Sequence, residues 1–135
     1  MTDYLDTPVL VFACANATAL GDKSRALIAA AKDPVTTPHA LAECFNALTY
    51  RLGLPPAAAR KLMQKNFQKI RFETLDSADY LMAINEVVEN GQTGDKIYDA
   101  LHVRAATKAR ADRLHTSNKR DFAPFSPVAE IVKIS

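Results

Sequence analysis

The sequence predicts an α/β fold in three layers, a central and mainly parallel sheet of about five short strands flanked by helices. Short apolar runs alternate with amphipathic helical stretches along the whole chain. The first run, from Tyr4, is almost continuously apolar, as a strand covered on both faces must be. The last, Pro127 to Ile134, alternates and carries Glu130 and Lys133 like a protected edge strand. A length of 135 residues, 48% apolar and 24% charged, then fits one globular domain over residues 1–135.

Each element has a local reason. Tyr4 to Phe12 (YLDTPVLVF) begins as a buried strand, and Pro8, which has no N–H to donate, ends its ladder. Asp6 and Thr7 interrupt this apolar run, which costs free energy unless they are partnered. They are therefore read as a strand end opening onto a site, with capping of the next helix as the plainer alternative for Asp6. Residues 17–31 read as a helix closed by Asp33-Pro34. Val35 to Thr37 forms a second short strand. Thr37-Pro38 then starts a helix to Leu52 that presents Leu41, Phe45, Leu48 and Leu52 on one face. Glu43 lies off that stripe. Pro55-Pro56 opens a helix bearing Arg60, Lys61, Lys65 and Lys69, and Phe72 to Leu75 is a third strand. Asp76 or Ser77 caps a helix through Glu89 with Tyr80, Leu81, Ile84, Val87 and Val88 turned inward; Asn90-Gly91 ends it.

The stretch from Gly94 to Phe122 concentrates the chemistry. Asp95 is the expected N-cap of a helix from Lys96 to Ala111, with Ile97, Leu101, Ala105 and Ala109 on one stripe. Asp99 falls in its first turn, where the helix dipole favours a carboxylate. Leu114 begins a strand, and Thr116, Asn118 and Asp121 follow at its end. Sites in such sheets form at the carboxyl ends of strands. An acid-rich cluster without His or Cys ligands calls for a hard divalent cation such as magnesium or manganese.

Composition removes other classes. A formal charge of +2 does not by itself demand nucleic acid. No run reaches the ~18 apolar residues of a membrane span, and the amino-terminal stretch carries Asp3 and Asp6 where a signal peptide needs basic residues. Cys14 and Cys44 are read as buried thiols of a cytoplasmic protein. The lack of CxxC and of paired histidines argues against zinc. A phosphatase of the haloacid-dehalogenase type needs a second Asp two residues after the first, and Pro8 stands there.

Taken together, LDTPVLV, the helical Glu43, IYDALHVRAA and LHTSNKRDF resemble the PIN-domain ribonucleases, and among them VapC-type toxins of bacterial toxin–antitoxin pairs. The resemblance spans nearly the whole chain. It implies a PIN-like fold and an endoribonuclease dependent on Mg2+ or Mn2+. Asp6, Glu43 and Asp99 match the family's regular acidic positions, and Asn118 a fourth that is often Asp. On this basis Asp6, Glu43, Asp99 and Asn118 are the expected catalytic residues. Asp6, Asp99 and Glu43 are the expected metal ligands, with Thr7, Thr116 and Asp121 in support. For Asp121 a capping role at Phe122 remains equally open. Arg104, Arg113, Lys119 and Arg120 are expected to meet the RNA backbone. His102 and His115 sit in apolar segments without a partner pattern and are left outside the site. Two departures stand out: Pro8 replaces a common Asn that would brace Asp6, and Asn118 is neutral. The resemblance further implies an RNA substrate, a cognate antitoxin and a homodimer formed through helices between Pro38 and Ile70. The alternative is a catalytically weak or inactive module that binds RNA or protein.

Overall fold

Strands β1 (Thr2–Leu5), β2 (Asp33–Thr36), β3 (Arg71–Phe72), β4 (Arg113–Thr116) and β5 (Glu130–Lys133) form one sheet in the order β3-β2-β1-β4-β5. Every pairing is parallel. The computed structural model describes residues 1–15 and 17–135. Around the sheet lie α1 (Thr7–Ala15), α2 (Ala19–Ala30), α3 (Pro38–Asn46), α4 (Pro56–Asn66), α5 (Ser77–Glu89) and α6 (Ile97–Lys108).

The pleat of β1 explains the three layers, because successive side chains leave opposite faces of a strand. Tyr4 packs into a core with Ala83, Val87 and Leu101, under α5 and α6. Leu5 packs into the other core with Val9, Leu10 and Leu48, under α1 and α3. From β1 the chain crosses to β2 on one side, and β4 later returns to the other. The order thus reverses beside the carboxyl end of β1, the place where open α/β sheets leave a crevice for ligands.

Several elements differ from the sequence expectation. The first strand stops at Leu5, and Thr7 to Ala15 is helix rather than more strand. Pro8 is well placed there, since a first-turn residue has no intrahelical acceptor for an N–H. The third strand is Arg71–Phe72, and the Glu73 N–H extends its ladder to the Thr36 carbonyl at 2.8 Å. The helix expected through Leu52 widens at Ala47–Arg51 into a π turn. Its buried face carries Ala40, Cys44 and Leu48, while Phe45 and Leu52 are exposed.

Helix α5 is rotated from the expected setting: Asp79, Ala83 and Val87 point inward, whereas Leu81, Ile84 and Val88 are exposed. Asp79 accounts for the rotation. Its carboxylate receives the Arg104 Nε at 2.8 Å and the Lys108 Nζ at 2.8 Å, both from α6. It also closes a capping box with Asp76. A buried carboxylate must keep such partners, so the helix turns to deliver it. Asp95 does not cap α6: it lies within a 3₁₀ turn, Gly94–Lys96, that precedes Ile97. Both cysteines are buried free thiols. No described helix is long and apolar enough to cross a membrane.

Candidate active site

Asp6 immediately follows β1 and precedes α1, so its position is set by the reversal of strand order. Its N–H continues the ladder to the His115 carbonyl at 3.0 Å. One carboxylate oxygen accepts the Thr7 N–H at 2.8 Å, and the other accepts the Thr116 hydroxyl at 2.8 Å. The brace missing through Pro8 is therefore supplied from β4. Burial raises the Asp6 pKa, against the opposing pull of His102 and these hydrogen bonds.

Glu43 reaches the same place from α3. Its Oε1 accepts the Thr7 hydroxyl at 3.1 Å and lies 3.0 Å from His39 Nδ1 and 3.2 Å from His102 Nε2. Burial raises the Glu43 pKa, but the hydrogen bonds and charges of His102 and His39 outweigh it and leave the group below its ordinary value.

Asp99 comes from the first turn of α6. Burial, followed by the negative charges of Asp121 and Asp6, pushes its pKa up to about 6. Lys96 Nζ, 3.7 Å away, partly offsets this. Asp6, Glu43, Asp99 and Asp121 all line one cleft of about 390 Å³, together with Thr7, His102 and Arg51.

The turn after β4 divides its tasks differently from the sequence expectation. Asn118 is the N-cap of the 3₁₀ segment Lys119–Phe125, its Oδ1 accepting the Arg120 N–H at 3.2 Å. Its amide also donates to Asp121 Oδ1 at 3.3 Å. The cap is thus Asn118, and the residue that faces the cleft is Asp121. Lys119 and Arg120 are exposed beside this turn. Arg104 and Arg113 are otherwise engaged, Arg104 with Asp79 and Arg113 with Asp3 at 2.8 Å.

The feature that sequence reasoning missed is His102. It is only 2% exposed. Its Nε2 lies 3.3 Å from Asp6, 3.2 Å from Glu43 and 3.2 Å from the Thr7 hydroxyl. Burial lowers its pKa, but the charges of Asp6 and Glu43 prevail and hold it above the ordinary histidine value. The available signal was its spacing: three residues after Asp99, it shares that residue's helix face. His115, by contrast, is spent on Asp3 at 2.8 Å, on the strand rather than in the cleft.

The donor set fits a hard divalent cation. It consists of carboxylate oxygens, and burial, with the charges of Asp121 and Asp6 added, raises the Asp99 pKa to about 6, a cost that a bound cation would relieve. Among the described residues, no three His, Cys, Asp or Glu side chains converge into a ready-made cage.

The PIN domain model matches residues 4–126. Among solved structures, the chain is similar to VapC20 of Mycobacterium tuberculosis, a sarcin-ricin loop cleaving toxin. The TM-score is 0.75 at 19% identity, over 93% of this chain and 96% of that one. VapBC2 from Rickettsia felis, bound to a DNA fragment from its promoter, superposes with a TM-score of 0.73 at 15% identity over the full length of both chains. A protein from Pyrobaculum aerophilum gives 0.66 at 23% identity, over 98% of this chain and 90% of that one. No curated protein matches the sequence. A family match over 4–126, a five-stranded parallel sheet and an acidic cleft at its strand-order reversal lead to one conclusion: this chain belongs to the PIN domain family.

Proposed function

We propose that this protein is a metal-dependent endoribonuclease that hydrolyses RNA phosphodiester bonds, and the toxin of a toxin–antitoxin pair. One observation carries the proposal: four carboxylates, from the residue after β1, from α3, from α6 and from the turn after β4, face a single cleft at the carboxyl edge of the sheet. Family membership and the sarcin-ricin loop cleavage named for the similar mycobacterial toxin support it.

Asp6 and Asp99 would hold Mg2+ or Mn2+, with Glu43 completing the shell or orienting the attacking water. When bound, such an ion lowers the pKa of water and stabilises the departing phosphodiester oxygen. The chain's own contribution is preorganisation. Thr116 and the Thr7 N–H fix both oxygens of Asp6, and the Thr7 hydroxyl fixes Glu43. Asp121 would hold water at the rim, where Asn118 tethers it. Lys119 and Arg120 take the RNA-backbone role, since Arg104 and Arg113 have intramolecular partners.

A cognate antitoxin is supported by the likeness to a VapBC complex. An antitoxin Arg fork entering the cleft would find paired acceptors there. Homodimerisation through the helices between Pro38 and Ile70 is supported by an apolar groove of about 890 Å³ lined by Leu41, Phe45, Met63 and Phe67. A cytoplasmic location accords with two free buried thiols.

The test is cleavage of total RNA by the purified chain with magnesium, with manganese and with a chelator, beside Asp99→Ala. Discrete, metal-dependent fragments absent from the variant are expected. No cleavage by folded, antitoxin-free protein would replace this proposal with a binding module on a nuclease fold.

A further inference from the structure

Resting on the ribonuclease reading above, we propose that His102 is the positioning residue of the acidic cleft. Its Nε2–H holds Asp6 and Glu43 in register for the cation, and the Tyr4 hydroxyl fixes that nitrogen as the one facing them.

The geometry has two halves. On one side of the ring, Nδ1 lies 2.7 Å from the Tyr4 hydroxyl, a fully buried contact between β1 and α6. The Tyr4 ring meets the imidazole edge-on, with centroids 5.7 Å apart, which restricts rotation of the histidine. The phenol hydroxyl can donate to Nδ1 of a neutral ring, which leaves the ring hydrogen on Nε2. The hydrogen on Nε2 then faces oxygens of Asp6, Glu43 and Thr7, all within 3.2–3.3 Å.

This arrangement spans the site. Asp6 follows β1, Glu43 stands on α3, and His102 shares α6 with Asp99. One imidazole therefore ties together Asp6 and Glu43, the two proposed metal ligands that α6 does not itself carry. Either protonation state of His102 presents the Nε2–H, which reaches Glu43 and Thr7 by hydrogen bonds and lies beside Asp6. At 2% exposure the ring is out of reach of RNA, which separates positioning from substrate contact. Groups that orient metal-binding side chains from behind typically account for about 10–100-fold in metal affinity or activity.

Three variants test it: His102→Leu removes the donor at similar volume, His102→Gln restores an N–H near Nε2, and Tyr4→Phe frees the ring nitrogen. Manganese affinity is read by electron paramagnetic resonance of the free ion. KM and kcat on RNA, and thermal melting, are measured alongside. His102→Leu is expected to lose about tenfold or more in manganese affinity, with kcat falling and KM for RNA unchanged. His102→Gln should recover to within about threefold of the parent, and Tyr4→Phe should lose about threefold or more. A folded His102→Leu chain with parental affinity overturns the inference, as does a glutamine variant as poor as the leucine one. Should the leucine variant not fold, parental manganese affinity in Tyr4→Phe overturns it instead. A parent chain that binds no manganese and cuts no RNA overturns the ribonuclease reading first, a result distinct from either of these.

Discussion

Lys96 Nζ lies 3.3 Å from Asp121 Oδ1 and 3.7 Å from Asp99 Oδ2, so a single ammonium bridges two carboxylates at the mouth of the cleft. It occupies the rim of the site proposed to take a divalent cation. Like charges placed close together repel, even where solvent screens them.

Lys96→Ala should therefore tighten manganese binding at pH 8, by about fivefold at low salt. The Lys96 charge also helps hold the Asp99 pKa down. Its removal raises that pKa, so the gain should shrink at pH 5.5, where Asp99 takes up a proton. Manganese titrations at the two pH values check both halves, and parental affinity at pH 8 would contradict the assignment.

Asp99 itself sets a pH dependence. With its pKa near 6, the protonated form dominates below that value and cannot bind a metal without releasing the proton. Metal affinity should rise about tenfold per pH unit up to about 6 and then level off. The metal-free protein should respond in the opposite sense. A carboxyl whose folded pKa exceeds the ordinary 3.8 contributes stability that is complete below about pH 4 and is lost as pH rises through 6. Melting temperatures in chelator across pH 4–7, parent against Asp99→Asn, should show a larger loss in the parent, since Asp6 and His102, whose pKa values are also raised, remain in both.

Asp79 makes a purely structural prediction. Its pKa is held far below the ordinary value, first by the Lys108 hydrogen bond and next by the Asp76 N–H, with Arg104 adding to them. Replacing it with alanine strips the capping box and removes the shared carboxylate partner of Arg104 and Lys108, at a cost of about 1–2 kcal/mol. Denaturant unfolding measures this, while cleavage per folded molecule should be unchanged. The depressed pKa means that the Asp79 contribution is present above about pH 4 and disappears as pH falls through its folded value.

The basic residues separate by salt dependence. Removing both Lys119 and Arg120 should lower the slope of log affinity against log salt for single-stranded RNA by about 1.4, or about 0.7 for each contact. Arg104→Ala and Arg113→Ala should leave that slope unchanged and lower stability instead, because their charges are spent on Asp79 and Asp3. Filter binding over a salt series distinguishes the two pairs.

Much of this molecule follows from local rules that a linear chain displays. The period of α6, the cap at Asp76, the Thr37-Pro38 helix start and the edge strand at the carboxyl end depend on neighbours a few residues apart. The significance of Asp6 was legible too, since a carboxylate in an apolar run must have a reason. Where local signals competed, they misled. The run after Asp6 has the composition of a strand, yet it folds as α1, because the chain must leave the sheet to cross toward β2.

The sequence by itself thus determined the α/β alternation and the parallel sheet, and it named all four acids that line the cleft, Asp121 among the supporting residues. Periodicity and capping act within a turn or two of helix, and a single chain records them. Only the tertiary structure decided that Asp121 rather than Asn118 faces the cleft, that Asp79 sets the rotation of α5, and that His102 lies against Asp6 and Glu43. The contacts of His102 with Glu43 and Tyr4 join residues 59 and 98 positions apart. No local pattern encodes such pairs: the sheet order and the packing of α6 bring them together, and burial then makes each hydrogen bond obligatory.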